Sequence, residues 1–257
     1  MSRLTDLADV LRAAGVPVVE VEGWQSRGRG GDGGQYQPGR PNHVMVHHTA
    51  GASGASGASA ASEVNYMVNV SDVSPVANLY IARDKDNAAV WIMAAGPTNT
   101  NGKGSAPWDP KTKTDDMNRM AIGIEIGNNG LGEPYGTGQQ ETLVAVCAAL
   151  CETYSIPVDH VRSHAEYSPG RKIDPAGPSR WATSGTWPMD AFRETIAGAL
   201  GTTPPADSPD RIKAEPGDGG WSLMRKLGID PTNAQAAREF YDRNYIVYDG
   251  VWIYKPE

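Results

Sequence analysis

Residues 120–130 read MAIGIEIGNNG, and on this stretch the fold turns. In an extended chain Ile122, Ile124 and Ile126 share one face, while Gly123, Glu125 and Gly127 share the other. One face suits a core. The other sets a single carboxylate between two positions without side chains, which opens it to a cleft and leaves room for a substrate beside it. Pattern alone fits a solvent-facing glutamate on a half-buried strand equally well. A second strand, residues 42–49 (NHVMVHHT), places His43, Met45 and His47 on one face and Val44, Val46 and His48 on the other. Alternation does not decide between His47 and His48 as a ligand, though both cannot readily reach one ion.

Working outward, further strand-like runs lie at Val16–Val21, His43–Thr49, Asn78–Arg83, Ala88–Met93 and Ala121–Ile126, rich in β-branched and apolar residues. Asp84-Lys85-Asp86-Asn87 joins two of them as a hairpin turn. Apolar residues recur at helical spacing over Leu4–Ala14, Gln140–Tyr154 and Asp190–Leu200. This mixture predicts an α/β fold: a central mixed β-sheet flanked by helices. Residues 51–62 repeat Gly-Ala-Ser and read as a flexible surface segment or lid. Residues 96–117, rich in Gly, Asn, Pro and Lys, form a long loop of the kind that carries function. The Pro-rich run GTTPPADSPD marks a linker at 201–210, which divides a larger domain (1–200) from a small C-terminal α+β module (211–257).

Composition excludes several classes. A net charge of −7 lacks the basic stripe that neutralises phosphates, so nucleic acid is not an expected partner. The longest apolar runs, such as 88–95, are too short to cross a bilayer, so membrane insertion is not expected. The opening MSRLTDLADVLRAAG has neither the apolar core nor the cleavage site of a signal peptide, which implies synthesis in the cytoplasm without an export signal. The two cysteines, Cys147 and Cys151, lie on one helical face with Leu143, Val146 and Leu150 and read as small core hydrophobes.

The sharpest chemical signal is residues 160–177, HVRSHAEYSPGRKIDPAG. His164 ends a short strand, Ser168-Pro169-Gly170 turns the chain, and Asp174 returns before another turn. A catalytic zinc site takes imidazole nitrogens and carboxylate oxygens from three residues and keeps a fourth position for water. One distant histidine plus His164 and Asp174 meets that count. An ordinary polar loop in which Asp174 caps a turn is the competing reading.

Together, VHHTAG, AIGIEIGN and the spacing from His164 to Asp174 around SPGRKIDP resemble the zinc-dependent N-acetylmuramoyl-L-alanine amidases, a family that includes the peptidoglycan recognition proteins. Residues 7–28, LADVLRAAGVPVVEVEGWQSRG, are similar to amidase endolysins of phages that infect actinobacteria. The resemblance spans roughly residues 1–200. It implies Zn2+ as cofactor, His47, His164 and Asp174 as its ligands, Glu125 as the catalytic carboxylate, and Lys172 as an assisting lysine. It implies bacterial peptidoglycan as partner and the amide between N-acetylmuramic acid and L-alanine as the bond cut. Related phage enzymes often carry a histidine in the loop that here reads GPTNTNGKG (96–104). Its absence near Thr100 and Asn101 bears on substrate contacts and leaves the three ligands untouched.

The tail runs strand, Gly-Asp turn, helix, helix, strand and resembles a LysM domain, a binder of N-acetylglucosamine-containing glycans. Otherwise Trp221, Phe240, Tyr241 and Trp252 simply form the core of a small accessory module. The expectation is a phage endolysin, held in the host cytoplasm until lysis and then acting on the wall. A cytoplasmic muropeptide-recycling amidase and a non-catalytic peptidoglycan-binding protein are the alternatives.

Overall fold

The computed structural model describes residues 2–30, 34–51, 59–201, 211–213, 220–243 and 252–254. The chain divides into two units, Met1–Thr202 and Thr203–Glu257.

The first unit is built on a six-stranded sheet ordered β1-β4-β3-β5-β2-β6. Its strands are β1 (Val18–Glu20), β2 (His43–His48), β3 (Leu79–Ile81), β4 (Val90–Ile92), β5 (Ala121–Ile126) and β6 (Val161–Ser163). The β3/β4 pair is antiparallel and every other pair is parallel, so the sheet is mixed. The turn between β3 and β4 closes with Asn87 in the left-handed region (φ 63°), which asparagine tolerates.

Both faces of β5 are buried, and the isoleucine face carries the main core. Ile122, Ile124 and Ile126 pack with Val44, Val46, Leu79 and Ile92 under three helices. These are α1 (Leu7–Ala13), α3 (Thr137–Tyr154) and α5 (Met189–Ala199). Helix α3 contributes Leu143, Val146, Cys147 and Leu150, and α5 contributes Phe192 and Ile196. Each fully buried aliphatic side chain is worth about 1.5–3 kcal/mol. Both cysteines are free and buried, so they serve as packing groups.

The opposite face is covered differently. Here α2 (Ala60–Asn65) and a π-helical turn, Tyr66–Val70, bring Ala60, Val64, Met67 and Val68 against Tyr80, Ala82 and Met93. The Gly-Ala-Ser segment therefore ends in a helix that begins at Ala60, two residues inside the run read as flexible. Ser59 caps it by accepting a hydrogen bond from the Ser62 N–H. Residues 52–58 of the repeat lie outside the described residues. The loop 96–117 covers the rest of this face, where Ala106 and Met117 pack on Met45 and Tyr167.

The second unit holds α6 (Gly220–Lys226), α7 (Ala234–Arg243) and an antiparallel pair, β7 (Arg211–Lys213) with β8 (Trp252–Tyr254). Leu223, Met224, Leu227, Ile229 and Phe240 form its core. The side chains of Trp221, Tyr241 and Trp252 lie outside the described residues.

Candidate active site

The site forms at the carboxyl ends of parallel strands. In register, His47 on β2 pairs with Glu125 on β5, and Tyr80 on β3 pairs with Glu125 from the other side. Neighbouring strands lie about 4.8 Å apart, so the side chains of these residues are lateral neighbours on one face.

His164 enters from β2's other neighbour. Strand β6 ends at Ser163, and the helical turn α4 (His164–Tyr167) starts at the histidine itself. A capping box fixes that junction: Ser163 Oγ accepts from the Glu166 N–H, and Glu166 Oε2 accepts from the Ser163 N–H. Glu166 is held in turn by Arg162 and the buried Arg193. The expectation that His164 ends a strand is thus off by one residue, because the capping box makes it the first residue of a helix. Asp174 returns alongside, its backbone carbonyl accepting from the Ala165 N–H at 3.0 Å.

The three expected ligands meet. His47 Nδ1 lies 2.8 Å from Asp174 Oδ2 and 3.1 Å from His164 Nδ1, and His164 Nδ1 lies 3.1 Å from the same oxygen. All three residues are buried. Burial works against ionisation of Asp174, but hydrogen bonds from His164 and His47 outweigh it and hold the carboxyl well below its usual range. Burial pushes His164 below the normal imidazole value, with the Asp174 carboxylate opposing. Two imidazole nitrogens and a carboxylate oxygen crowded this closely cannot all be satisfied by one shared proton. Ligands at about 2.0–2.2 Å from a tetrahedral ion stand roughly 3.3–3.6 Å apart, so a cation fits this triad with a slight spreading.

His48 projects to the opposite face, where its Nδ1 accepts from the Ala176 N–H at 3.0 Å. It does not join the triad.

Glu125 is buried, 8% exposed, and its Oε2 has no hydrogen-bond partner among the described residues. Burial raises its pKa to about 7, with His47 and Lys172 opposing and Asp174 reinforcing. The solvent-facing reading of Glu125 is therefore wrong. The flanking glycines also serve a different purpose from the one their pattern suggests. A Cβ at Gly123 would stand 2.3 Å from Thr100 Oγ1, and one at Gly127 would stand 2.7 Å from the Tyr80 hydroxyl. The room they leave is taken by the protein itself. Glu125 instead opens sideways into a pocket of about 400 Å³ with Thr49, Glu63, Tyr66, Met67 and Val76. Lys172, half-buried, acts electrostatically on Glu125, His48 and His164.

Two features escaped the sequence reading. Thr100 places its hydroxyl 2.8 Å from His47 Nε2, so the loop without the expected histidine does touch a ligand. Gly123 was the available signal, since a glycine inside a strand often marks a close approach. The second is a buried network below the pocket. Glu63 accepts from Tyr80, from Arg83 at 2.9 Å and from Thr49 at 3.2 Å. Arg83 also binds Glu133 at 2.7 Å and the Gly51 carbonyl at 3.2 Å.

A mixed α/β sheet with a buried cluster of two histidines and one aspartate, and a further carboxylate at its strand ends, defines a class of site able to hold a cation beside a carboxylate. Within that class, the family described as N-acetylmuramoyl-L-alanine amidase matches residues 37–177, more than half of the 257-residue chain. The chain belongs to the N-acetylmuramoyl-L-alanine amidase family. Among solved structures, the N-acetylmuramyl-L-alanine amidase AmiD from E. coli, in complex with an anhydro-muropeptide substrate, is 20% identical, with TM-score 0.47, over 82% of this chain and 78% of that one. AmpDh3 from Pseudomonas aeruginosa is 16% identical, with TM-score 0.43, over 89% and 75%. A mutant endolysin from Bacillus subtilis is 19% identical, with TM-score 0.42, over 70% and 99%. No curated protein matches the chain.

Proposed function

We propose that the protein is a zinc-dependent peptidoglycan hydrolase that cleaves the amide between N-acetylmuramic acid and L-alanine, and that it acts as a phage endolysin. The observation that carries the enzymatic reading is the triad: two imidazole nitrogens and one carboxylate oxygen within 3.1 Å of one another, beside a buried carboxylate. His47, His164 and Asp174 hold the ion in this reading. Two neutral imidazoles and one carboxylate leave a divalent site with net positive charge. When bound, zinc supplies Lewis acidity toward the scissile carbonyl and lowers the pKa of water toward roughly 7.

The chain's own groups do the rest. Glu125, ionised, takes a proton from the attacking water and returns it to the departing amine nitrogen, a role worth about 10²–10⁴ in rate. The Lys172 ammonium stabilises negative charge developing on the carbonyl oxygen. Thr100 holds the far nitrogen of His47 and so orients its ring, as outer partners of metal-bound histidines do.

The endolysin role rests on the similarity of residues 7–28 to such enzymes and on the strand-helix-helix-strand order of the tail, which fits a glycan-binding module. Residence in the host cytoplasm until lysis, then at the wall, follows from that role. Mass analysis of products from purified actinobacterial cell wall tests all of it. Release of stem peptides with a free L-alanine amino terminus, abolished by chelation and restored by Zn2+, is the expected result. Activity confined to soluble muropeptides would instead mark a recycling enzyme, and binding without any cleavage a recognition protein.

A further inference from the structure

At the opposite end of the sheet a second cluster remains without a role. Val44 on β2 pairs with Val161 on β6, so the preceding residues, His43 and His160, lie side by side where the two strands start. Their rings stack with centroids 4.3 Å apart and planes 11° from parallel. Asp109, from the loop 96–117, brings Oδ2 to 3.7 Å from His43 Nε2. One ligand atom from each of the three residues lies within 4.8 Å of the others. His43 and His47 stand four residues apart on β2, roughly 13 Å at a strand's rise, so this cluster is distinct from the catalytic triad.

Asn42 fixes the tautomers. Its side-chain nitrogen donates to Asp109 Oδ2 at 3.4 Å, which turns its carbonyl oxygen toward His43 Nδ1 at 3.0 Å. His43 Nδ1 must therefore donate, and Nε2 keeps a lone pair. The backbone carbonyl of Asn42 lies 2.9 Å from His160 Nδ1, which sets the same tautomer there. Metal-binding histidines are oriented in this way, with the second ring N–H given to a carbonyl.

What faces these lone pairs is unbalanced. His43 is fully buried and its Nε2 has no hydrogen-bond partner among the described residues. Burial, reinforced by His160, pushes His43 down to about 3, so it stays neutral and offers Asp109 no proton. Burial opposes the ionisation of Asp109, but hydrogen bonds from Thr112 and the Lys111 N–H keep its pKa low. The nearby Arg162 is already paired with Asp159 at 2.7 Å and Glu166 at 3.1 Å. Among the described residues a carboxylate thus meets a buried lone pair with no cation paired to either atom, although Arg40 and Arg162 both act on His43 electrostatically.

We propose that His43, His160 and Asp109 form a second metal site, for a divalent first-row transition ion such as Zn2+. Two imidazoles and a carboxylate suit ions of that group. Coordination requires the half-buried His160 ring to tilt out of its stack on His43, which is fixed in place. The ion would fasten the loop that carries Thr100 to the starts of β2 and β6.

Metal content of the full chain, stripped with chelator and dialysed against Zn2+ alone, tests the proposal. Two equivalents are expected for the parent protein. His160→Ala and the isosteric Asp109→Asn should each lose one equivalent and still hydrolyse soluble muropeptide. Asp174→Asn should lose the other equivalent and, with it, hydrolysis. Circular dichroism confirms that each variant is folded. Parental stoichiometry in either His160→Ala or Asp109→Asn overturns the second site. A single equivalent that survives Asp174→Asn but disappears in both other variants upholds it and removes the metal from the catalytic triad instead.

Discussion

At Glu125 burial opposes the general-base role proposed for it. Enclosure beside Tyr66, Met67 and Val76 raises the carboxyl to about 7, while a general base must be ionised to act. The sign is definite. Because the folded pKa exceeds the unfolded value, Glu125 contributes stability below pH 4.5 and loses it as pH rises through about 7. With Glu125 as the base, activity should run the other way and fall as pH drops below the carboxyl's midpoint. In metal-free protein that midpoint is expected near 7, and loading a divalent cation beside it should move it lower. Carboxyl carbon NMR titration with and without Zn2+ measures both; a metal-free midpoint near 4.5 would remove burial as the cause. Glu125→Ala is expected to keep its zinc and lose about 10²–10⁴ in turnover. Metal content and kcat measured on the same preparation check this, and unchanged turnover would take Glu125 out of the mechanism.

Among the elements, β5 and the loop 96–117 are matched to each other. Gly123 lacks a side chain where Thr100 comes in, and Thr100 in turn steadies His47. Thr100→Val should lower zinc affinity or activity about 10–100-fold, the usual cost of losing an outer partner of a metal ligand. Gly123→Ala should give a similar loss by pushing Thr100 aside, and the two changes together should cost much less than their sum. Competition with a chromogenic chelator gives the affinities, and simple additivity would show that the two positions act separately. These contacts also mark where reading the chain stops. Strand β5 was legible residue for residue, since alternating isoleucines can hardly mean anything else, and β2 nearly so. The meeting of His47, His164 and Asp174 was legible only through the family motifs, because alternation left His47 and His48 equivalent. Thr100 and the group of Glu63, Arg83 and Glu133 were not legible: their partners lie 53, 20 and 50 residues away, and no local period records such pairings.

Over the whole molecule, the six-stranded sheet, its core and the triad all belong to the first unit. A chain ending at residue 202 should therefore melt within a few degrees of the full-length first transition and hydrolyse soluble muropeptides at the parental rate, since a domain with its own core can fold alone. On intact sacculi it should be at least tenfold slower if the tail binds wall glycan. Calorimetry and turbidity clearance measure the two effects, and undiminished clearance would leave the tail without a wall-binding role.

The clamp around Arg83 has a consequence for how this chain can vary. Arg83 grips the Gly51 carbonyl on one side of the Gly-Ala-Ser repeat and Glu63 on the other, and Ser59 caps the helix between them. Both stumps of the repeat are thus anchored independently of what joins them. As a general rule, doubling the length of a loop costs only about 0.6 kcal/mol in closure entropy. Copy number in this triplet repeat is consequently free to drift, and peptide epitopes or affinity tags can be spliced into it, without disturbing the buried Glu63–Arg83 contacts a few residues away.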